Sequence, residues 1–306
     1  ISIMSGNGYI ISLMRARQSM ISYASLAQIQ EQSTNPTSGV TTDDTRLIEY
    51  GIRATGVIDH LKKMTFAPLI DTRYYDVYSD AVSAYTLTLD HPLLSLTSVT
   101  LPDSSTITVA TYVRGEPRGQ SPLWWLKLLN SSYTFKATSD DLDNDIAVAG
   151  IWGWNSDYAS AWLVSGDSVQ NATGITATGA SITVSDADGL SGNGFTPRFS
   201  AGNLIRIESE YLAVTATNTT TQALTVMRGV RGSTAATHAK DTAIFVYAPD
   251  DAIVRACQLQ AEFNYSRRGK HEKVSFDGVQ TVAGIEVPQE VTDILNSYQH
   301  VMIGSA

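Results

Sequence analysis

One cysteine in 306 residues excludes an internal disulfide and any zinc site built on thiolates. That residue, Cys257, stands among apolar neighbours at helical spacing and lacks the basic setting that lowers a thiol pKa, so it reads as a small core residue. Charge is also scarce. Charged residues make up 17% of the chain, and acids outnumber bases 30 to 21, for a net charge of −9. A protein that grips nucleic acid needs clustered Lys and Arg, so this balance excludes phosphate wrapping but suits a wall past which DNA slides without sticking. Low charge with 43% hydrophobic residues also fits a globular subunit whose surface is largely covered by neighbours. No apolar run reaches the length of a membrane span. The opening Ile1 to Leu13 is followed, not preceded, by Arg15 and Arg17, the reverse of a signal peptide. Met20 begins a more ordinary opening, so the first twenty residues are an arm or a segment upstream of a second start.

Catalytic signatures are missing as well. There is no nucleophile elbow, Walker loop or dinucleotide fingerprint. The histidines His60, His91, His238, His271 and His300 are scattered, with no pair at metal-binding spacing on one helix. The acidic run Asp140-Asp141-Leu142-Asp143-Asn144-Asp145 offers hard oxygen ligands, yet the calcium-loop template fails. Ile146 stands where the turn Gly is needed and Trp152 where the bidentate Glu should be. The run therefore reads as a solvated loop. Trp124-Trp125 are adjacent in a strand and point to opposite faces, so one of them is core. Arg228, Arg231 and Lys240 read as a solvated or partner-facing basic patch. No enzyme, metal or cofactor is expected.

What is present is a sequence of patterns. Ser22 to Gln32 suits a short helix. Asp43 and Asp44 follow Thr41 and Thr42 at a helix start, and Leu47, Tyr50, Ala54, Val57, Ile58, Leu61 and Met64 repeat at helical spacing to about Lys63. Strands are expected over 72–78, 85–89, 95–100, 106–113, 124–128, 133–137 and 146–154. Between Ser160 and Ala248 the chain turns to Thr, Ser, Ala, Gly and Val, with short strands at 181–184, 204–207, 211–217, 223–228 and 243–247. Pro249-Asp250-Asp251 restarts helix, whose Ile253, Ala256, Cys257, Gln260 and Phe263 share a face, and Arg267-Arg268-Gly269 ends it. Lys270 to Glu286 reads as a loop or hairpin with a turn at Asp277-Gly278. Pro288 to Tyr298 forms the last helix. The long helix at 43–63 has its simplest partner in the helix after residue 250.

Several short stretches in this order resemble tailed-bacteriophage head-to-tail adaptor proteins. They are Asp44-Thr45-Arg46-Leu47, Ala54 with Val57-Ile58-Asp59, Phe66-Ala67-Pro68, Thr72-Arg73-Tyr74-Tyr75-Asp76 and Leu89-Asp90-His91-Pro92-Leu93-Leu94-Ser95. Gly150-Ile151-Trp152-Gly153-Trp154, the helix from Ala252 to Arg268, and Val287-Pro288-Gln289-Glu290-Val291 complete them. Gly202 to Ile207, Glu210 to Val214, Leu224 to Gly229 and Gly232 to His238 resemble a β module that recurs in phage virion proteins.

The resemblance implies an α+β fold: a helical adaptor core with β-strands and an inserted small β-barrel or sandwich domain. The expected division is an N-terminal arm and short helix at 1–40, the first part of the core at 41–159, the inserted β domain at 160–248 and the second part of the core at 249–306. It implies a structural virion protein, a homo-oligomeric ring, usually a dodecamer, in the neck between capsid and tail and made in the host cytoplasm. Its partners would be the portal protein and the tail completion, terminator or stopper proteins, with DNA passing through the channel without sequence-specific binding and no membrane involved. The apolar triplet Val301-Met302-Ile303 lies in the segment Gln299, His300, Val301, Met302, Ile303, Gly304, Ser305 and Ala306, which in such adaptors reaches into the portal. A carbohydrate- or host-surface-binding tail module is the alternative, favoured by the Thr/Ser-rich β block and aromatics.

Exhaustive chelation of divalent cations leaves the thermal midpoint unchanged on this reading, because a required ion stabilises the folded state by mass action. A large fall in calorimetric midpoint would make Asp140 to Asp145 a metal site.

Overall fold

A computed structural model describes residues 21–32, 41–136, 145–192, 194, 196–267, 279–282 and 285–298. The chain divides into two compact units, one of Met64–Ala161 and one of Ile1–Lys63 with Trp162–Ala306.

The smaller unit is an antiparallel sheet of six strands. They are β1 (Leu69–Tyr75), β2 (Thr86–Thr100), β3 (Thr106–Ile107), β4 (Val113–Glu116), β5 (Leu123–Leu128) and β6 (Ile146–Trp152), in the order β1-β6-β2-β5-β4 with β3 on β2. Strict alternation in β6 turns Ile146, Val148 and Trp152 inward, where they are fully buried. Leu87, Leu126 and Phe135 complete the same apolar core. β2 is one strand of 15 residues where the sequence suggested two. Its first part pairs with β5 and its second with β6, with register shifts between Thr88 and Leu93 and again between Leu93 and Ser95. Pro92, which has no N–H to give to a ladder, falls within the first of these irregularities. The expected strand over 106–113 holds a helical turn, Val109–Tyr112, between β3 and β4. No strand is found at 133–136.

The larger unit contains α1 (Leu26–Gln32), α2 (Thr41–Lys62), β7 (Trp162–Ser168), β8 (Ser181–Thr183), β9 (Leu204–Ile207), β10 (Glu210–Asn218), β11 (Ala223–Met227), β12 (Ala243–Tyr247), α3 (Asp251–Ser266), β13 (Val279–Val282), β14 (Ile285–Pro288) and α4 (Gln289–Asn296). Six strands form an antiparallel sheet in the order β7-β12-β9-β10-β11-β8. Ile182, Ile205, Ile207, Leu212, Val214, Leu224 and Ile244 share its buried face. α2 packs on α3, the pairing that helical periodicity suggested. Cys257 lies at that seam, with Sγ 3.6 Å from the Gly51 carbonyl, 3.6 Å from Ser22 Oγ and 3.7 Å from Thr55 Oγ1. Burial pushes its thiol pKa up, which makes it inert. Tyr50 and Tyr265 meet edge to face at 6.0 Å across the same seam.

Residues 21–26 join helices and sheet within this unit. Ser22 N donates to the Gly202 carbonyl at 3.1 Å and Leu26 N to the Ala201 carbonyl at 3.0 Å. Tyr23 N donates to Thr55 Oγ1 at 2.9 Å, and its hydroxyl donates to Asp59. β13 pairs with β14, Val282 opposite Ile285, and the expected turn at Asp277-Gly278 lies outside the described residues.

The expected helical adaptor core is corrected by this architecture. Among the described residues strand accounts for 33% and helix for 23%, with two antiparallel six-stranded sheets, so the fold is mostly β. The physical reason is that each sheet closes an apolar core of its own strands. The long helices carry the more regular periodicity in sequence but supply the smaller share of the structure.

Gly202 has φ +91°, a conformation that L side chains rarely adopt, and a Cβ there would come within 2.5 Å of Ile48 Cδ1. Gly202→Ala should therefore cost about 1–3 kcal/mol in urea unfolding. A stability equal to wild type would show that the contact of residues 21–26 with the sheet is loose.

Candidate functional site

The predicted portal-binding residues Gln299 to Ala306 lie outside the described residues. The chain reaches them from α4 through Tyr298, which is buried and interacts with Asp250. Burial first, and then the Asp250 carboxylate, push the Tyr298 hydroxyl pKa up to about 12. Residues 140–144 of the acidic run also lie outside the described residues, as do His271 and His300. Among the described residues no group of three His, Cys, Asp or Glu side chains is placed to hold a metal ion.

The other singled-out residues fall in different places. His60 is exposed on α2. His91 lies on β2, with Nδ1 2.8 Å from Asp90 Oδ2. Asp90 also accepts from the Tyr75 hydroxyl at 2.7 Å and from Arg73 Nη1 at 3.2 Å. Burial raises the Asp90 pKa, but the contacts with His91 and Tyr75 and the Arg73 charge outweigh it, and the carboxyl is held well below its ordinary range. Burial and the Asp90 charge push Tyr75 up. Trp124 is buried and meets Trp154 at 5.6 Å, while Trp125 is half-buried, as alternation along β5 dictates.

The basic character assigned to Arg228 proves different. Its side chain is 7% exposed and serves as a hub. Arg228 Nε and Nη2 donate to Glu210 at 2.7 and 2.6 Å, a bidentate pair. The remaining donors reach the carbonyls of Thr176, Gly179 and Ala236. Glu210 also accepts from the N–H groups of Gly229 and Ala236, both at 3.0 Å. His238 sits between two carboxylates, Nε2 2.8 Å from Glu210 and Nδ1 2.7 Å from Glu208. Burial raises the Glu210 pKa, but Arg228, the Ala236 N–H and His238 together bring it below its usual value.

A second hub follows the same logic. Asp167 accepts from the N–H groups of Ser168, Ser185 and Asp186, and from Arg198 Nη1 at 3.0 Å. Burial again works against the charged form, but these partners bring the Asp167 pKa below its usual value. Beside it a cleft of about 580 Å³ opens within the larger unit, with Tyr23, Gln28, Arg198, Asn203 and Tyr247 among its walls. Arg198 is already committed to Asp167 and to the carbonyls of Asp186 and Leu190.

Comparison with protein-family models, curated proteins and solved structures finds no match. The site chemistry therefore rests on geometry alone. The shifted carboxylates among the described residues, Asp90, Asp103, Asp167 and Glu210, all move downward, the direction of ion pairs and hydrogen bonds. A general acid at neutral pH needs the opposite shift.

Sequence reasoning missed both hubs, because Glu210 and Arg228 are 18 residues apart and Asp167 and Arg198 are 31 apart. An acid inside the apolar strand Glu210-Tyr211-Leu212-Ala213-Val214 was the available signal.

Glu210→Gln should cost about 3–5 kcal/mol by leaving Arg228 buried without its counter-charge. Both hub carboxylates have folded pKa values below their unfolded ones, so their stabilisation is present above the ordinary carboxylate range. It is lost as pH falls through the folded values, below about pH 4. Thermal midpoints measured against pH should fall there in wild type and fall less in Glu210→Gln. Superimposable curves would remove the hub from the acid response.

Proposed function

We propose that this chain is a structural virion protein, the ring adaptor that connects portal to tail in a tailed bacteriophage and lines the DNA channel. The observation that carries this reading is spatial. Three short stretches behind the resemblance, Thr72–Asp76, Leu89–Ser95 and Gly150–Trp154, contribute to neighbouring strands of one sheet. Leu93 of the second stretch pairs with Trp152 of the third across β2 and β6, and Thr72–Tyr75 pair with Ile146–Ala149, just before the third stretch on β6.

The polar chemistry points the same way. The hub carboxylates are held ionised by internal partners, and the lone thiol is buried. Tyr74, Tyr78, Tyr85, Val164 and Leu190 are exposed large side chains suited to contacts between subunits. In the neck the subunit would form a closed homo-oligomeric ring, with the portal on one side and tail completion proteins on the other. The same exposed tyrosines support the alternative, a carbohydrate- or host-surface-binding tail module, which a glycan array would detect.

Portal docking is assigned to Gln299–Ala306, whose Val301 and Ile303 would project to one side of an extended chain added to a strand edge. Deleting these eight residues should leave the helical circular dichroism intact and sharply weaken capture by purified portal. Unchanged capture by the folded, truncated subunit would contradict the docking assignment.

A further inference from the structure

The smaller sheet ends on a strand whose outer edge is unprotected. β1 has seven residues and pairs with β6 through all of them without a register shift. It has no other neighbour among the described residues. It holds no Pro, no Lys and no bulge, the features that commonly blunt an edge. The other ends of the two six-stranded sheets are blunted. β4 has four residues and stops at Pro117. On β7 the Ser165 carbonyl accepts from Gly192 N at 3.0 Å. β8 has three residues, and its Thr183 gives its N–H to Asn171 Oδ1 and accepts from Gln170 N, both at 2.8 Å.

Thr72 marks which backbone groups face the open side. In an antiparallel ladder, successive residues aim their N–H and C=O at opposite sides of the strand. The Thr72 N–H goes to its neighbour's side chain, Asp71 Oδ1, at 2.9 Å. The Asp71 carbonyl instead accepts the indole N–H of Trp152, on β6, at 3.1 Å. Ile70, Thr72 and Tyr74 therefore direct their backbone groups outward. Their side chains share one face, on which Thr72 and Tyr74 are exposed. Asp71 and Arg73 share the other face. Asp71 is exposed, and the Arg73 side chain is 20% exposed. Arg73 gives Nη1 to Asp90, while its buried Nε has no acceptor among the described residues.

We propose that β1 is a self-pairing edge, which joins β1 of a second copy of this chain antiparallel about a twofold axis through Thr72. The order of its residues identifies the occupant. With Thr72 opposite its own counterpart, Asp71 of each copy stands opposite Arg73 of the other. Ile70 then stands opposite Tyr74, a β-branched residue against an aromatic one, and Leu69 opposite Tyr75. The opposite charges meet at non-hydrogen-bonded positions, where side chains lie closest. Registers centred on Asp71 or Arg73 put like charges directly opposite and are disfavoured. On pairing, the Thr72 N–H passes from Asp71 to the Thr72 carbonyl of the second copy, and the released carboxylate turns to Arg73. Such a contact is isologous, whereas a ring closes through heterologous contacts, so it is separate from the ring reading.

The test joins cross-linking to light scattering on the full chain without portal. Its one native cysteine is buried, so an introduced thiol reports without background. Thr72→Cys lies on the axis, where a hydrogen-bonded pair has Cα atoms about 5.5 Å apart, within disulfide reach. Mild oxidation should convert it to a covalent dimer. Tyr74→Cys, also exposed, faces Ile70 and should not cross-link. In light scattering over a concentration series, wild type should dimerise. Asp71→Arg, at an exposed position, should keep the wild-type circular dichroism yet weaken the dimer about 10-fold or more, and Asp71→Glu should retain it. If Asp71→Arg fails to fold, Thr72→Pro removes the axial N–H at an edge position that Pro tolerates, with the same loss expected. A wild type that stays monomeric, or equal dimerisation by a folded variant, overturns the proposal. Equal cross-linking at Thr72→Cys and Tyr74→Cys overturns the Thr72 axis. A monomeric wild type whose capture by portal is lost in Asp71→Arg gives the edge to the portal and overturns the second copy as its occupant. The symmetry of the portal complex tests the ring reading separately.

Discussion

The buried pairing of Glu210 with Arg228 is the interaction on which the larger unit depends. Glu210 is near the β9–β10 turn, and Arg228 follows β11 directly. Their bidentate bond ties these two strands to the loop that leads to His238. Through the Thr176 and Gly179 carbonyls, Arg228 also fixes the segment that enters β8. Taking two such charges out of water is costly and is offset here by near-complete hydrogen bonding of both groups. The geometry is thereby specified more sharply than apolar packing alone would require. Asp167 and Arg198 repeat the arrangement at the other side of the sheet, where Asp167 gathers three backbone N–H groups.

The smaller unit is built by different means. Its centre is apolar, with Trp152 fully buried and its indole N–H donating to the Asp71 carbonyl at 3.1 Å. The bends in β2 let one strand serve two neighbours, which wraps the sheet around Leu87, Leu126 and Phe135. A charged cluster in this unit, Arg73 with Tyr75, Asp90 and His91, lies where the aromatic strand β1 and the bend meet. Arg73 stacks 4.7 Å above the Trp152 ring there.

Much of this was legible in the residues, and the losses have definite causes. The two long helices follow from their 3.6-residue periodicity, and β9, β11 and β12 fall within a residue or so of the expected spans. β7 was not anticipated, because Trp162-Leu163-Val164-Ser165-Gly166-Asp167-Ser168 breaks its apolar run with Ser and Gly. Ser165 nevertheless belongs there, since its hydroxyl donates to the Ile244 carbonyl at 2.5 Å in the buried ladder. The fold class was misjudged because period-two patterns interrupted by bulges are weaker signals than a 22-residue helix. The charged hubs were illegible for another reason: nothing local distinguishes a solvated Arg from one paired with an acid 18 residues earlier.

Two β units whose buried charges are spent on internal partners are compatible with the proposed ring adaptor. The measurement that addresses this most directly is an averaged electron-microscopy view, down the symmetry axis, of the purified protein mixed with its portal. The account requires a closed ring stacked coaxially on the portal, with matched symmetry and a central channel. Portal particles that carry no added density, beside free single subunits, would contradict it.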